Sequence, residues 1–189
     1  MLVPMKQRLA AARSFEDAAW VILNDVVALH GAEFGTLQFP VGDHLLLAAF
    51  RGFRPPFLEA FQRVSKDDGC VCGQTLRRGS TVVVPDVEQN AEFAPFLRIA
   101  REAGYRAVQS TPLLLSDGTL MGLVSTHFSG VHEPTNIEMQ ILAEYSIVAA
   151  ERLSQLLGDA SLEDEAEKMS RKIYGDSPGS AVSPTAAWT

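Results

Sequence analysis

Cysteine is scarce: the 189 residues hold two, Cys70 and Cys72, one residue apart. That spacing is too tight for an ordinary structural disulfide and falls short of a four-ligand zinc site, so the pair indicates a reducing compartment. Basic clusters are missing as well. The formal net charge is −7 and the strongest local run is Leu76-Arg77-Arg78, which leaves no patch to neutralise a phosphate backbone and excludes nucleic acid as an expected partner. No apolar run approaches the roughly 20 residues needed to cross a bilayer, and the opening MLVPMKQRLAAARSFEDAAW lacks the order of a signal peptide. A cytoplasmic protein with no membrane partner is expected. Phosphate loops, nucleophile elbows and dinucleotide glycine patterns do not occur.

What is present has the balance of a globular domain, with 47% hydrophobic and 21% charged residues. The expected division is a helical N-terminal extension over 1–13, one domain over 14–157, and a partly disordered polar tail over 158–189, where a charged stretch that can extend a helix gives way to Gly, Ser and Pro. Ser14 to Gly31 reads as a helix with two apolar stripes. Phe15, Ala18, Ile22, Val26 and Leu29 form one, and Trp20, Leu23 and Val27 the other. Strands follow at 34–39 and 44–50 around a Gly-Asp turn, then a short helix over 55–64, a loop, and a second short helix over 71–78 stopped by Gly79. The β-branched run Thr81 to Val84 adds a strand, and Ser116-Asp117-Gly118 joins two more, 107–115 and 119–128, into a hairpin. A long helix runs from Thr135 to Leu157, and its apolar arc is wider than a surface helix needs. One stripe of the first helix and part of this arc are therefore expected to pair with a second chain, through Trp20, Leu23, Val27, Leu142, Ala149, Leu153 and Leu156.

This order of elements, together with two strings, resembles the GAF domain family. DDGCVCGQTLRRGSTVVVPDV, from Asp67 to Val87, is similar to the family's Gly-rich approach to a short helix and strand. AGYRAVQSTPLLLSDGTLMGLVSTHFSGVHEPTNIEMQIL, from Ala103 to Leu142, resembles the central hairpin and C-terminal helix of GAF domains attached to bacterial sensor kinases. The resemblance implies an α/β (α+β) fold: an antiparallel sheet of about six strands, N- and C-terminal helices on one face, and a ligand cleft on the other. It also implies a sensing role, two-component signalling through a helical homodimer, and a separate partner such as a kinase or regulator, since the residues after Leu157 are too few for an output domain.

The resemblance does not select a ligand. Free methionine sulfoxide reductases are GAF-like enzymes with an element similar to Cys70-Val71-Cys72-Gly73, which makes Cys70 and Cys72 candidates for a redox enzyme or sensor. That family also needs a reactive cysteine in the crossover, and Glu88 to Tyr105 contains none, so catalysis is not expected. Asp68-Gly69-Cys70 is similar to an attachment motif of bilin-binding relatives, but the principal attachment cysteine before Ala107 is absent and no covalent bilin is expected. A match to the cyclic-nucleotide signature is confined to Asn90 and Phe93. Among the histidines, His30, His44, His127 and His132, no two have the i, i+4 spacing of a helical metal pair, so neither haem nor a metal is expected. What remains is a cleft walled by Phe57, Phe61, Phe93, Phe96 and Tyr105, with Gln109, Thr111, Ser125 and His127 as polar groups on the strands. His127 is expected on the face of Ser125, Leu123 and Met121. A third possibility, a ligand-free interaction module, corresponds to the same cleft filled by its own side chains.

Overall fold

The computed structural model describes residues 1–175. Helix α1 (Leu2–Ala11) precedes α2 (Phe15–His30), which begins as its sequence predicts: Ser14 accepts a hydrogen bond from the Asp17 amide at 3.1 Å, and Gly31 ends the helix at φ 60°. Strands β1 (Phe34–Val41) and β2 (His44–Arg51) form a hairpin around the two-residue turn Gly42-Asp43. Helix α3 (Pro55–Ala60) is shorter than expected, because Arg63–Ser65 leave it to form β3 on the edge of β2. The exposed edge of β2 offers backbone partners that a further helical turn would forgo. Then come α4 (Val71–Arg78), β4 (Val82–Val84), 3-10 turns at Val87–Gln89 and Ala91–Phe96, and α5 (Leu97–Ala103). The second hairpin, β5 (Ala107–Leu114) and β6 (Leu120–Phe128), leads to α6 (Asn136–Leu157) and α7 (Leu162–Tyr174). Thr135 and Glu138 close a reciprocal capping box at the start of α6.

The six strands lie in the order β3-β2-β1-β6-β5-β4, every neighbour antiparallel. One face carries α1, α2, α6 and α7; the other carries α3, α4, α5 and the 3-10 turns, each over its own apolar cluster. This is the expected mixed α/β arrangement, with the terminal helices on one side. No helix among the described residues is long and apolar enough to cross a membrane.

The expected dimer stripe needs correction. Leu23, Val27, Leu142, Ala149 and Leu153 are each 2% exposed or less within a single chain. They pack in the cluster that also contains Met5 and Leu9 of α1 and Ala166 and Met169 of α7. Leu156 packs half-buried against the same cluster, and of the seven residues only Trp20, 38% exposed, is open to solvent. Most of the apolar arc of α6 thus meets helices of its own chain, while Ile137 and Ile147 stay exposed. A half-buried ionic knot fixes one of these helices: Asp25 on α2 accepts from Arg8 Nε of α1 at 2.7 Å and from the Tyr145 hydroxyl of α6 at 2.8 Å.

Residues 162–174 also depart from the expectation of a polar tail. After Gly158 the chain folds back, Ser161 caps α7, and Ala166 and Met169 are buried over β1 and β2. The charged residues occupy the outer face of an amphipathic helix, so composition alone concealed its packing face. The tail expected beyond residue 175 lies outside the described residues.

Candidate functional site

The floor of the cleft is set by strand register. Residues opposite one another in an antiparallel pair share a face. Ser125 of β6 lies between Ser110 of β5 and Thr36 of β1; His127 lies opposite Val108 and Leu123 opposite Gln38. Thr36, Gln38, Val108, Ser110, Leu123, Ser125 and His127 therefore look away from the terminal helices.

The same register moves two expected cleft residues to the other side. Gln109 pairs with Thr126 and Thr111 with Val124, one step out of phase with Ser125. Gln109 donates to Met139 Sδ of α6 at 3.6 Å, and Thr111 accepts from Thr81 and lines a groove beside Met139, Leu142 and Ser146. Met121 also leaves the expected face: a register shift opposite Leu113 and Leu114 turns it into the helix-side core, while Leu123 stays on the cleft side.

The roof is aromatic. Phe57 of α3 stacks on Phe53 at 3.5 Å and on Phe61 at 4.6 Å between ring centroids. His127 points into this stack, its ring edge-on to Phe53 at 4.9 Å and to Tyr105 at 4.8 Å. Phe93 from the 3-10 turn completes the wall; Phe96 packs behind it, at 5.6 Å from Phe93. Asn90, half of the weak nucleotide match, accepts from the Phe93 amide and shapes this turn.

The enclosed space is small. About 10 Å³ is open to the centre of a water molecule, roughly what a single water needs, and it is lined by Thr36, Gln38, Cys70, Cys72, Tyr105 and His127 among others. Phe57 also borders an open groove of about 470 Å³ between α3 and α5, with Phe34, Arg54, Ile99 and Glu102 along it. One aromatic ring thus borders both a tight, mainly apolar chamber and a groove of ligand size. Inside the chamber, Gln38 Oε1 and His127 Nδ1 are buried and find no hydrogen-bond partner among the described residues. Burial drives the His127 pKa down to about 3, so its imidazole is neutral.

Cys70 and Cys72 are both free and buried at the start of α4. Cys72 Sγ lies 3.5 Å from Ser125 Oγ and 3.7 Å from Ser110 Oγ, and the two hydroxyls are 2.7 Å apart. The hydrogen bond with the Cys70 thiol holds Cys72 below the usual thiol range, helped by the serines and opposed by burial. The same bond, with burial, pushes Cys70 well up. Gly73 is required for this placement: a Cβ there would sit 2.2 Å from the Asp68 carbonyl oxygen.

The other histidines lie elsewhere. His30 is hydrogen bonded to Thr126 on the helix side and its pKa falls to about 4, chiefly through burial. His132 stacks on Phe128 at 3.7 Å, and His44 pairs with Asp43 beside the first turn. Among the described residues no three His, Cys, Asp or Glu side chains converge in a way that could hold a metal ion.

The sequence singles out Phe57, Phe61, Phe93, Tyr105, Ser125 and His127, which the structure brings together, but not Thr36, Gln38 and Ser110, and it offers Cys70 and Cys72 as redox candidates rather than as part of the cleft. Strands buried on both faces carry no alternation to reveal which polar residue faces the cleft.

The family model described as GAF domain matches residues 12–151. No curated protein matches the chain. Among solved structures, the fold is similar to the GAF domain of an Acinetobacter phosphoenolpyruvate-protein phosphotransferase, at 14% identity and TM-score 0.68 over 83% of this chain and 92% of that one. It is also similar to free methionine-R-sulfoxide reductase from Neisseria meningitidis, solved with its substrate, at 22% identity and TM-score 0.67 over 83% and 88%. A third is the chromophore-binding domain of a bacteriophytochrome from R. palustris, at 16% identity and TM-score 0.60, over 87% of this chain and 61% of that one.

Proposed function

The chain belongs to the GAF domain family of ligand-binding sensory and regulatory modules, and from that premise we propose that it is a sensor whose signal is a small molecule bound beneath Phe57. The observation that carries this reading is the pair of buried polar atoms, Gln38 Oε1 and His127 Nδ1, without partners among the described residues at the base of an aromatic chamber. Each such atom costs about 1–3 kcal/mol when left unpaired. A ligand with an apolar body and a hydrogen-bond donor recovers that cost, and rotation of Phe57 joins the chamber to the groove of about 470 Å³. The reading is sensory rather than catalytic, because the crossover 88–105 supplies no second reactive cysteine. The ligand's signal passes on to a regulator or kinase.

The test is native mass spectrometry with an absorption spectrum of freshly purified protein. A small molecule that co-purifies and is lost from a His127→Leu variant supports the reading. A uniformly ligand-free mass, together with no thermal shift across a metabolite library, overturns it.

A further inference from the structure

The groove between α3 and α5 holds one charge that the protein leaves unanswered. Arg54 is the N-cap of α3, and its carbonyl accepts from the Phe57 and Leu58 amides at 3.1 and 3.3 Å. The turn before it is equally fixed, because Gly52 has φ 82° and a Cβ there would sit 2.7 Å from the Glu33 carbonyl oxygen. Arg54 is thus held beside Phe57 on the groove wall, yet it is exposed and its side chain makes no hydrogen bond or ion pair among the described residues. Glu102 of α5, the other charged group lining the groove, lies 3.8 Å from Arg98 on its own helix. We propose that the ligand sensed at Phe57 is a small organic acid whose carboxylate is bound by Arg54, an inference that rests on the sensor reading and adds the ligand's charge to it.

A guanidinium meets a carboxylate through two parallel N–H···O bonds, and it stays charged throughout the physiological range. It is also more weakly hydrated than an ammonium, so it gives up less water when an acid seats against the apolar Phe34, Phe57 and Ile99. The chain's formal charge of −7 repels anions at long range, but salt screens that field beyond about 10 Å and leaves the contact at Arg54 to decide. A cation has the opposite difficulty: it must share Glu102 with Arg98 and approach Arg54. The bound acid carries its apolar body beneath Phe57, where a hydroxyl donor at its far end meets Gln38 Oε1 or His127 Nδ1.

The test is a titration of the full chain, followed by nuclear magnetic resonance, with three probes of one shape: p-hydroxyphenylpropionate, the corresponding amide and the corresponding amine. The acid is expected to bind about fivefold to tenfold more tightly than the amide, with the amine weakest and the gap narrowing as salt is raised. Arg54→Gln brings the acid down to the amide while leaving the amide's affinity unchanged, and Arg54→Lys restores part of the gap. Amide or amine binding as tightly as the acid, a gap that survives Arg54→Gln, shifts that fall outside the groove and chamber, or no binding by any of the three overturns the inference. If a variant loses the fold, the order of the three probes on the wild-type chain and its salt dependence decide. Failure here is separable from failure of the sensor reading: a neutral or cationic molecule that co-purifies and is lost from His127→Leu removes the acid and keeps the sensor, whereas ligand-free protein with no thermal shift across the library removes both.

Discussion

Ser110 and Ser125 face each other across β5 and β6 with their hydroxyl oxygens 2.7 Å apart, and Cys72 Sγ lies on both. Substituting Ser125→Ala removes the nearer hydroxyl. The Cys72 thiol is then expected to titrate higher, by an amount on the order of one pH unit, the equivalent of one hydrogen bond. Ultraviolet thiolate absorbance against pH measures it, and an unchanged midpoint would show that the serines do not stabilise the anion.

Leu153 and Met169 test where the apolar arc of α6 is covered. Both are buried within one chain, so Leu153→Ala and Met169→Ala should each cost about 2–5 kcal/mol in denaturant unfolding. The loss should be the same at every protein concentration. A midpoint that rises with concentration would instead place these residues between copies.

Gly73→Ala should be among the most damaging small substitutions, because the new methyl meets the backbone oxygen of Asp68 at 2.2 Å rather than a movable side chain. A loss of about 1–3 kcal/mol is expected from overpacking. Since α4 must shift, Cys70 and Cys72 should also react faster with a thiol reagent in the variant. Wild-type labelling rates would contradict the close approach.

His30 makes stability depend on pH. Its folded pKa of about 4 lies below the ordinary imidazole value of 6.5, because burial disfavours the imidazolium more than Glu138 favours it. Only the unfolded chain takes up this proton between those values, so the contribution is complete above about pH 6.5 and drains away as pH falls toward 4. The slope is at most about 1.4 kcal/mol per pH unit. Chemical unfolding across that window, compared with His30→Gln, isolates it; equal slopes in both proteins would remove His30 as the cause.

Tyr145→Phe leaves Asp25 with Arg8 but takes away the hydroxyl donor at 2.8 Å. A hydrogen bond to a carboxylate contributes about 1.5–3 kcal/mol, and the variant should lose that amount. Hydrogen exchange should show the loss concentrated where α1, α2 and α6 meet.

Much of this architecture is legible from local chemistry. Ser14, Gly31, Thr135 and the Asp117-Gly118 turn each announce an element because capping and turn formation depend on neighbours in sequence. The aromatic wall is visible for a similar reason, since Phe57 and Phe61 are spaced along one short segment. Apart from the early end of α3 and the packing of α7, the departures concern which of two surfaces a residue meets. Gln109 and Ser110 are equally polar and equally buried, and only pairing with β6 assigns one to α6 and the other to Cys72. The apolar stripe of α2 was legible as needing cover, but a helix of the same chain and a helix of another chain present the same requirement. Sequence periodicity records the need for burial and not the identity of the neighbour.

The ends of the sheet restrict how these molecules can assemble. Both edge strands, β3 and β4, are three residues long, while the long strands β1, β2, β5 and β6 lie inside. At those strands a neighbouring polypeptide finds only a three-residue edge to template on, which hinders fibrous, edge-to-edge polymerisation there. Association at these ends then falls largely to side chains, where single substitutions can abolish it without disturbing the sheet.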